Sequence, residues 1–88
     1  MWYVYVLSSR YHSARKLYVG YTHDLRRRLA EHNAGQTVAT APFAPWRLAY
    51  YEAYAVATDA QVRERQLKHH ANAWSLLKRR IQRSLHEG

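Results

Sequence analysis

Residues 18–33 read YVGYTHDLRRRLAEHN, a strand, a turn and a basic helix in succession. Leu17 to Tyr21 has the composition of a short strand, and Gly20 near its end marks a bulge or a close backbone approach. Thr22 or Asp24 can cap a helix over Leu25–His32, and Asp24 also suits the positive end of its dipole. Ala34-Gly35 ends the helix, with Gly35 placed for a left-handed cap. At about 100° per residue, Leu25 and Leu29 define the buried direction. Arg26, Arg27 and Glu31 then point away from it, and Arg28 and His32 lie along one edge of the buried face. Arg26 and Arg27 are solvated charges suited to phosphate contacts. Arg28 is held near the core, where a guanidinium is costly unless an anion meets it. On this helix alone the plainer reading is that Arg28 snorkels past Leu25 and that His32 is a half-buried, hydrogen-bonded side chain.

Upstream, Trp2–Ser8 (WYVYVLS) carries β-branched and aromatic residues on both alternating faces, as a central strand covered on both sides does. A polar connection over Arg10–Lys16 makes its pairing with the second strand antiparallel. Downstream, Gln36–Pro45 is a loop holding Pro42 and Pro45, and Trp46–Tyr54 is a third strand. Thr58 and Gln61 match a capping box, which starts a second helix running to about His70. Asn72 can cap a third helix over Ala73–Leu85, whose apolar stripe is Trp74, Leu77, Ile81 and Leu85. The expected fold is α+β, a small three-stranded antiparallel sheet flanked by helices in the order β-β-α-β-α-α, as one domain over residues 1–88.

A chain of 88 residues buries only about 60–65% of its unfolded surface, so the core is small. With no cysteine, neither a disulfide framework nor a thiolate zinc site is available, which suits a reducing cytosol. The apolar run around Val4–Leu7 is too short to span a bilayer, and no secretory leader is expected. The 14 Lys+Arg against 6 Asp+Glu give a net charge of +8, which favours a polyanionic partner such as DNA or RNA. Basic surfaces also serve solubility, so charge alone assigns no chemistry.

The second helix adds a carboxylate. Ala60, Leu67 and Ala71 form its apolar stripe, and Glu64 falls within it; Val62 points elsewhere. A carboxylate there needs a cation, a metal or a proton. A structural pair with Arg28 or another arginine is the plain alternative to a metal ligand. Of the six carboxylates, Asp24 and Asp59 sit at helix starts, Glu31 points outward and Glu87 is in the tail. Only Glu64 and Glu52 remain as inward groups. A cluster of two metals is therefore not expected, whereas one Mg²⁺ held by a single carboxylate, waters and substrate phosphate fits. Tyr5 and Tyr18 lie near the start of the first helix. His69 and His70 face different directions and are read as surface. Lys78, Arg79, Arg80 and Arg83 make a solvated face attractive to nucleic acid.

Together these residues resemble the GIY-YIG nuclease domain in its small stand-alone bacterial form, over nearly the whole chain. Tyr3-Val4-Tyr5 carries the first motif and Tyr18-Val19-Gly20 the second. The helix signature is Asp24 to His32, and REXXLK from Arg63 to Lys68 holds Glu64. Tyr3 stands where the first motif usually has glycine. The late polar residue of many members, often Asn, has Asn72 as its one candidate after the second helix begins.

The resemblance implies a metal-dependent endonuclease that hydrolyses phosphodiester bonds, in DNA before RNA, with one Mg²⁺ or Mn²⁺ on Glu64. It further implies that Arg28 neutralises phosphoryl charge and that Tyr5, Tyr18 and His32 orient and deprotonate the attacking water. Which of the three takes the proton stays open. Arg26, Arg27, Lys68, Lys78, Arg79 and Arg83 are the expected nucleic-acid contacts, and a protein partner could supply target choice. The alternatives are a non-catalytic nucleic-acid-binding module of the same fold and an adaptor using exposed tyrosines.

Overall fold

The computed structural model describes residues 1–10 and 16–86. Most of the expected Arg10–Lys16 connection, and Glu87, lie outside them. Strand β1 (Trp2–Ser9) is the centre of a three-stranded antiparallel sheet, flanked by β2 (Leu17–Thr22) and β3 (Trp46–Tyr54) in the order β2-β1-β3. Alternation along β1 builds two cores. Val4 and Val6, with Val19 of β2, meet Ala60, Leu67, Leu77 and Ile81 on one face. Tyr5 and Leu7, with Trp46, meet Tyr18, Leu25, Leu29 and Phe43 on the other. A register shift against β3 falls between Val6 and Leu7.

Helix α1 (Leu25–Asn33) covers the Tyr5 face. The Asp24 carboxylate accepts from the Arg27 amide at 3.0 Å, as expected of its cap. The helix ends in a Schellman motif: Gln36 N–H donates to Glu31 O at 3.1 Å and Gly35 N–H to His32 O at 3.2 Å, with Gly35 at φ 77°. The Asn33 amide then clamps the start of β3, donating to Trp46 O at 3.0 Å and accepting from Trp46 N–H at 2.5 Å.

Helix α2 (Ala57–His69) lies on the Val4 face through Ala60 and Leu67. It starts one residue before Thr58, with Val56 at its cap position and no side-chain cap. The Thr58–Gln61 box does not form, and Gln61 donates instead to the Tyr21 hydroxyl at 2.9 Å. Asn72 caps nothing either: α3 (Ala71–Arg80) begins ahead of it, with His70 at the cap position. The expected third helix is broken at Ile81, whose backbone leaves the helical region, and resumes as α4 (Gln82–His86). The apolar stripe survives the break, because Leu77 and Ile81 are buried and Trp74 and Leu85 pack beside them. Among the described residues, no helix is long and apolar enough to cross a membrane.

Glu52, one of the two inward carboxylates, is the tie between sheet and α2. Arg63 donates to it through Nε at 2.9 Å and Nη2 at 3.0 Å, Tyr50 donates at 2.6 Å, and Tyr54 donates as well. Burial pushes the Glu52 carboxyl up, but Arg63 and the two phenols outweigh it and hold it below the usual carboxylate range. Burial and the Glu52 charge together push Tyr50 and Tyr54 up to about 12. Its stabilising effect is present above the ordinary carboxylate pKa and is lost as pH falls through the lowered native value. Glu52→Gln is expected to cost about 1.5–3 kcal/mol of stability in urea unfolding near neutral pH, and to flatten the acid limb of the stability profile.

Candidate active site

The site is built across β1 and β2. Tyr5 stands opposite Gly20, and a Cβ on Gly20 would lie 2.6 Å from the Tyr5 Cζ. The phenol ring therefore lies directly on the Gly20 backbone. The Tyr5 hydroxyl meets His32 Nε2 at 2.9 Å, and His32 Nδ1 meets the Thr40 hydroxyl at 2.8 Å. Thr40 directs its own proton to Thr37 O at 3.4 Å, so its oxygen accepts from His32 Nδ1–H. That leaves Nε2 as the acceptor of the Tyr5 O–H. Trp46 Nε1 donates to Thr40 O at 2.9 Å and holds the loop in place.

His32 is fully buried rather than half-buried. Burial first, then the Arg28 charge, holds its imidazole below the ordinary histidine pKa, so the ring is neutral at pH 7. The sign follows: the unfolded chain binds this proton near pH 6.5 and the native chain does not, so stability falls as pH drops below about 6.5. The carboxylates Glu31 and Glu52, whose pKa values are lowered, weaken the fold only at more acid pH. Replacing His32 by Gln is expected to remove the upper limb alone, as read by chemical denaturation across pH.

Burial pushes the Tyr5 phenol up to about 12; the nearby Arg28 guanidinium pulls it down, and Tyr18 and Glu64 push it up. Tyr5 is thus a neutral hydroxyl with a cation and a carboxylate close to it. Tyr18 stands edge-on to His32, with ring centroids 5.0 Å apart, and 6.4 Å from Tyr5. The Lys68 ammonium lies 5.1 Å above the Tyr18 ring and 3.2 Å from the Glu64 carboxylate. Arg28 donates to Glu31 at 2.9 Å and lines a cleft of about 220 Å³ with Thr22, Asp24 and Arg27.

Tyr5, Tyr18, Arg28 and His32 therefore come together on one face of the sheet, and Glu64 and Lys68 reach them from α2. Glu31 does not point away as expected. Its long side chain folds back to take Arg27 at 3.2 Å as well as Arg28, because a helical wheel gives the direction of Cβ and not of the carboxylate. Lys68, expected on the nucleic-acid surface, stands within the cluster. Arg26 is exposed, and Arg27 is exposed apart from its pair with Glu31. Lys78, Arg79 and Arg83 are exposed on α3 and α4, which pack on the other sheet face, so they are not part of this cluster. Asn72 is exposed and takes no place in it. Thr40 was not foreseen; a loop threonine carries no periodic signal.

Among the described residues, no group of three or more His, Asp or Glu could hold a metal. Glu64 offers a single carboxylate, with the Tyr5 phenol near it. An all-oxygen set with one charge suits a hard cation that keeps most of its waters, and does not suit a two-metal cluster.

A family model described as the GIY-YIG catalytic domain matches residues 1–81. A UPF0213 protein of Haloquadratum walsbyi is 37% identical over 67 residues, which are 75% of this chain and 72% of that protein. A UPF0213 protein of Streptococcus pneumoniae serotype 4 is 42% identical over 67 residues, 75% of this chain and 65% of that protein. Among solved structures, the solution NMR structure of a UPF0213 protein from Bacillus halodurans superposes with a TM-score of 0.51 at 30% identity, covering 88% of this chain and 83% of that one.

Proposed function

The chain belongs to the GIY-YIG family of nuclease-type domains, and from that premise we propose that it is an endonuclease hydrolysing phosphodiester bonds in DNA with one divalent cation. The observation that carries this reading is the cluster itself: the Tyr5 hydroxyl lies 2.9 Å from His32, Tyr18 stands edge-on to the same imidazole, and Lys68 over the Tyr18 ring ties in the Glu64 carboxylate at 3.2 Å. A cation, a carboxylate and a polarised hydroxyl in one place are what an in-line attack on phosphorus needs.

Glu64 would hold the Mg²⁺ or Mn²⁺, which would supply Lewis-acid polarisation of the scissile phosphate and charge for the leaving oxygen. Arg28 neutralises the phosphoryl oxygens, exchanging its Glu31 contact for a phosphate contact. Tyr5 donates to His32 and so presents an oxygen lone pair to the attacking water. As that water gives its proton to the Tyr5 oxygen, the Tyr5 proton passes to His32 Nε2. The phenol never has to exist as a free anion, which its raised pKa would oppose. Thr40 keeps Nε2 unprotonated and ready by accepting from Nδ1. Tyr18 packs edge-on against His32, and Lys68 holds the Glu64 carboxylate in position. Arg26 and Arg27 contact the phosphate backbone beside the cleft.

A binding module that does no chemistry would gain nothing from the Glu64 carboxylate beside Lys68 and Tyr18. The test is a cleavage assay on single-stranded, duplex, flapped and branched DNA with Mg²⁺ or Mn²⁺, repeated with a chelator and on RNA. Arg28→Ala is expected to lower the rate about 10²- to 10³-fold. Equal cutting by wild type and Arg28→Ala would assign the activity to a contaminant and remove the proposal.

A further inference from the structure

The sheet face opposite Tyr5 carries a second feature that the catalytic reading does not use. A cavity of about 660 Å³ opens where the C-terminal end of β1, the start of β2 and the start of β3 meet α3 and α4. Arg10, Arg47, Lys78 and Arg79 surround it, and Leu17 and Leu85 contribute apolar surface. Among the described residues that line it, none is a carboxylate.

Four cations around one concavity repel one another unless an anion is present, and the chain's charge does not force them together. A solvated basic face would spread them. The volume also matches that of pockets holding small ligands, about 300–1,000 Å³. Arg47 is fixed in advance: its Nη2 donates to Ser84 O and Leu85 O, each at 2.8 Å, which leaves its other N–H groups for a ligand. The Lys78 ammonium is steadied 5.4 Å over the Trp74 ring. Cations and apolar surface around one cavity match the two halves of a nucleotide, a phosphate and a base.

We propose that this cavity binds a phosphate-bearing nucleotide unit, with the phosphate on Arg10, Lys78 and Arg79 and the base against Leu17 and Leu85. It is a second nucleic-acid contact on the far side of the sheet from the cleavage cluster. A substrate that occupies both must bend or branch around the domain, so the cavity selects single-stranded arms over straight duplex. The proposal rests on the nuclease reading only in taking nucleic acid as the ligand's source.

The test is binding without cutting. Amide and side-chain NMR shifts of the full chain are followed in chelator while a nucleoside 5′-monophosphate, a 5′-phosphorylated oligothymidylate and an unphosphorylated nucleoside are titrated. The two phosphorylated probes are expected to shift Leu17, Lys78, Arg79 and Leu85; the nucleoside is expected not to. The oligonucleotide is expected to bind more tightly than the mononucleotide, as a strand contact requires; equal affinity would overturn the cavity's part in holding a strand. The paired variant Arg10→Gln with Arg79→Gln, both exposed positions, is expected to weaken binding at least tenfold and to lower the salt slope for the oligonucleotide by about 0.7 for each arginine removed. Unchanged affinity in the variant, or shifts confined to the Tyr5 and Arg28 face, would overturn the proposal. Neither result would touch the cleavage reading, which is tested by Arg28→Ala.

Discussion

Glu64→Gln is expected to lower metal-dependent cutting about 10³-fold, the loss of several kcal/mol of charge stabilisation at the transition state. Glutamine keeps the size of the side chain and can still accept from Lys68, but it loses the negative charge that retains a hard cation. The fold is expected to hold: the Glu64–Lys68 pair is partly exposed, and such pairs contribute about 0–1 kcal/mol. Single-turnover cleavage together with urea unfolding separates the two effects. Full activity in the variant would mean that the carboxylate is only a structural partner of Lys68.

The second large effect lies at Gly20, which makes no polar contact with the site. An added methyl would stand 2.6 Å from the Tyr5 Cζ, inside any tolerated contact, so the ring must move. Moving it breaks the 2.9 Å bond to His32 and withdraws the hydroxyl from Arg28. Gly20→Ala is expected to cost about 1–3 kcal/mol of stability by overpacking and to reduce cutting to the level of a variant lacking the Tyr5 hydroxyl. A double-mutant cycle gives the physical check. In a Tyr5→Leu background the stability cost of Gly20→Ala should shrink, because the coupling belongs to the ring on the glycine. An equal cost in both backgrounds would place the strain in the backbone instead.

The sheet was legible because its signals are local. Trp2–Ser8 has apolar residues on both faces, and only a central strand buries both. Trp46–Tyr54 was bounded by Pro45 before it. Gly35 and Asp24 ended and began α1 as their backbone preferences require. The helix starts that failed, at Thr58 and Asn72, failed because a cap competes with tertiary contacts: Gln61 is taken by Tyr21, and His70 already sits at the start of α3. The break at Ile81 left the apolar stripe intact, so periodicity could not reveal it.

At the site, the residues placed by backbone direction lie together in the structure. Leu25 and Leu29 fixed the orientation of α1, and from that Arg28 and His32 followed. The misreadings concern the ends of long side chains. Glu31 turns back onto Arg28, and Lys68 folds over Tyr18 toward Glu64, and neither is visible to a helical wheel. Thr40 became visible only once the chain brought the loop before β3 under His32. The division of basic residues between two sheet faces likewise depends on how α2 and α3 pack, which no single segment encodes.

The central claim is that Glu64, Arg28, Tyr5, Tyr18 and His32 form one metal-dependent centre. Titrating the ¹⁵N- and ¹³C-labelled protein with Mn²⁺ tests it without substrate, because the paramagnetic ion broadens signals within its reach. Glu64, Tyr5 and Tyr18 are expected to broaden first and Arg28 and His32 to follow, and Glu64→Gln is expected to abolish the broadening at the other four residues. Broadening centred on Glu52 or Glu31, or broadening that survives Glu64→Gln, would contradict it.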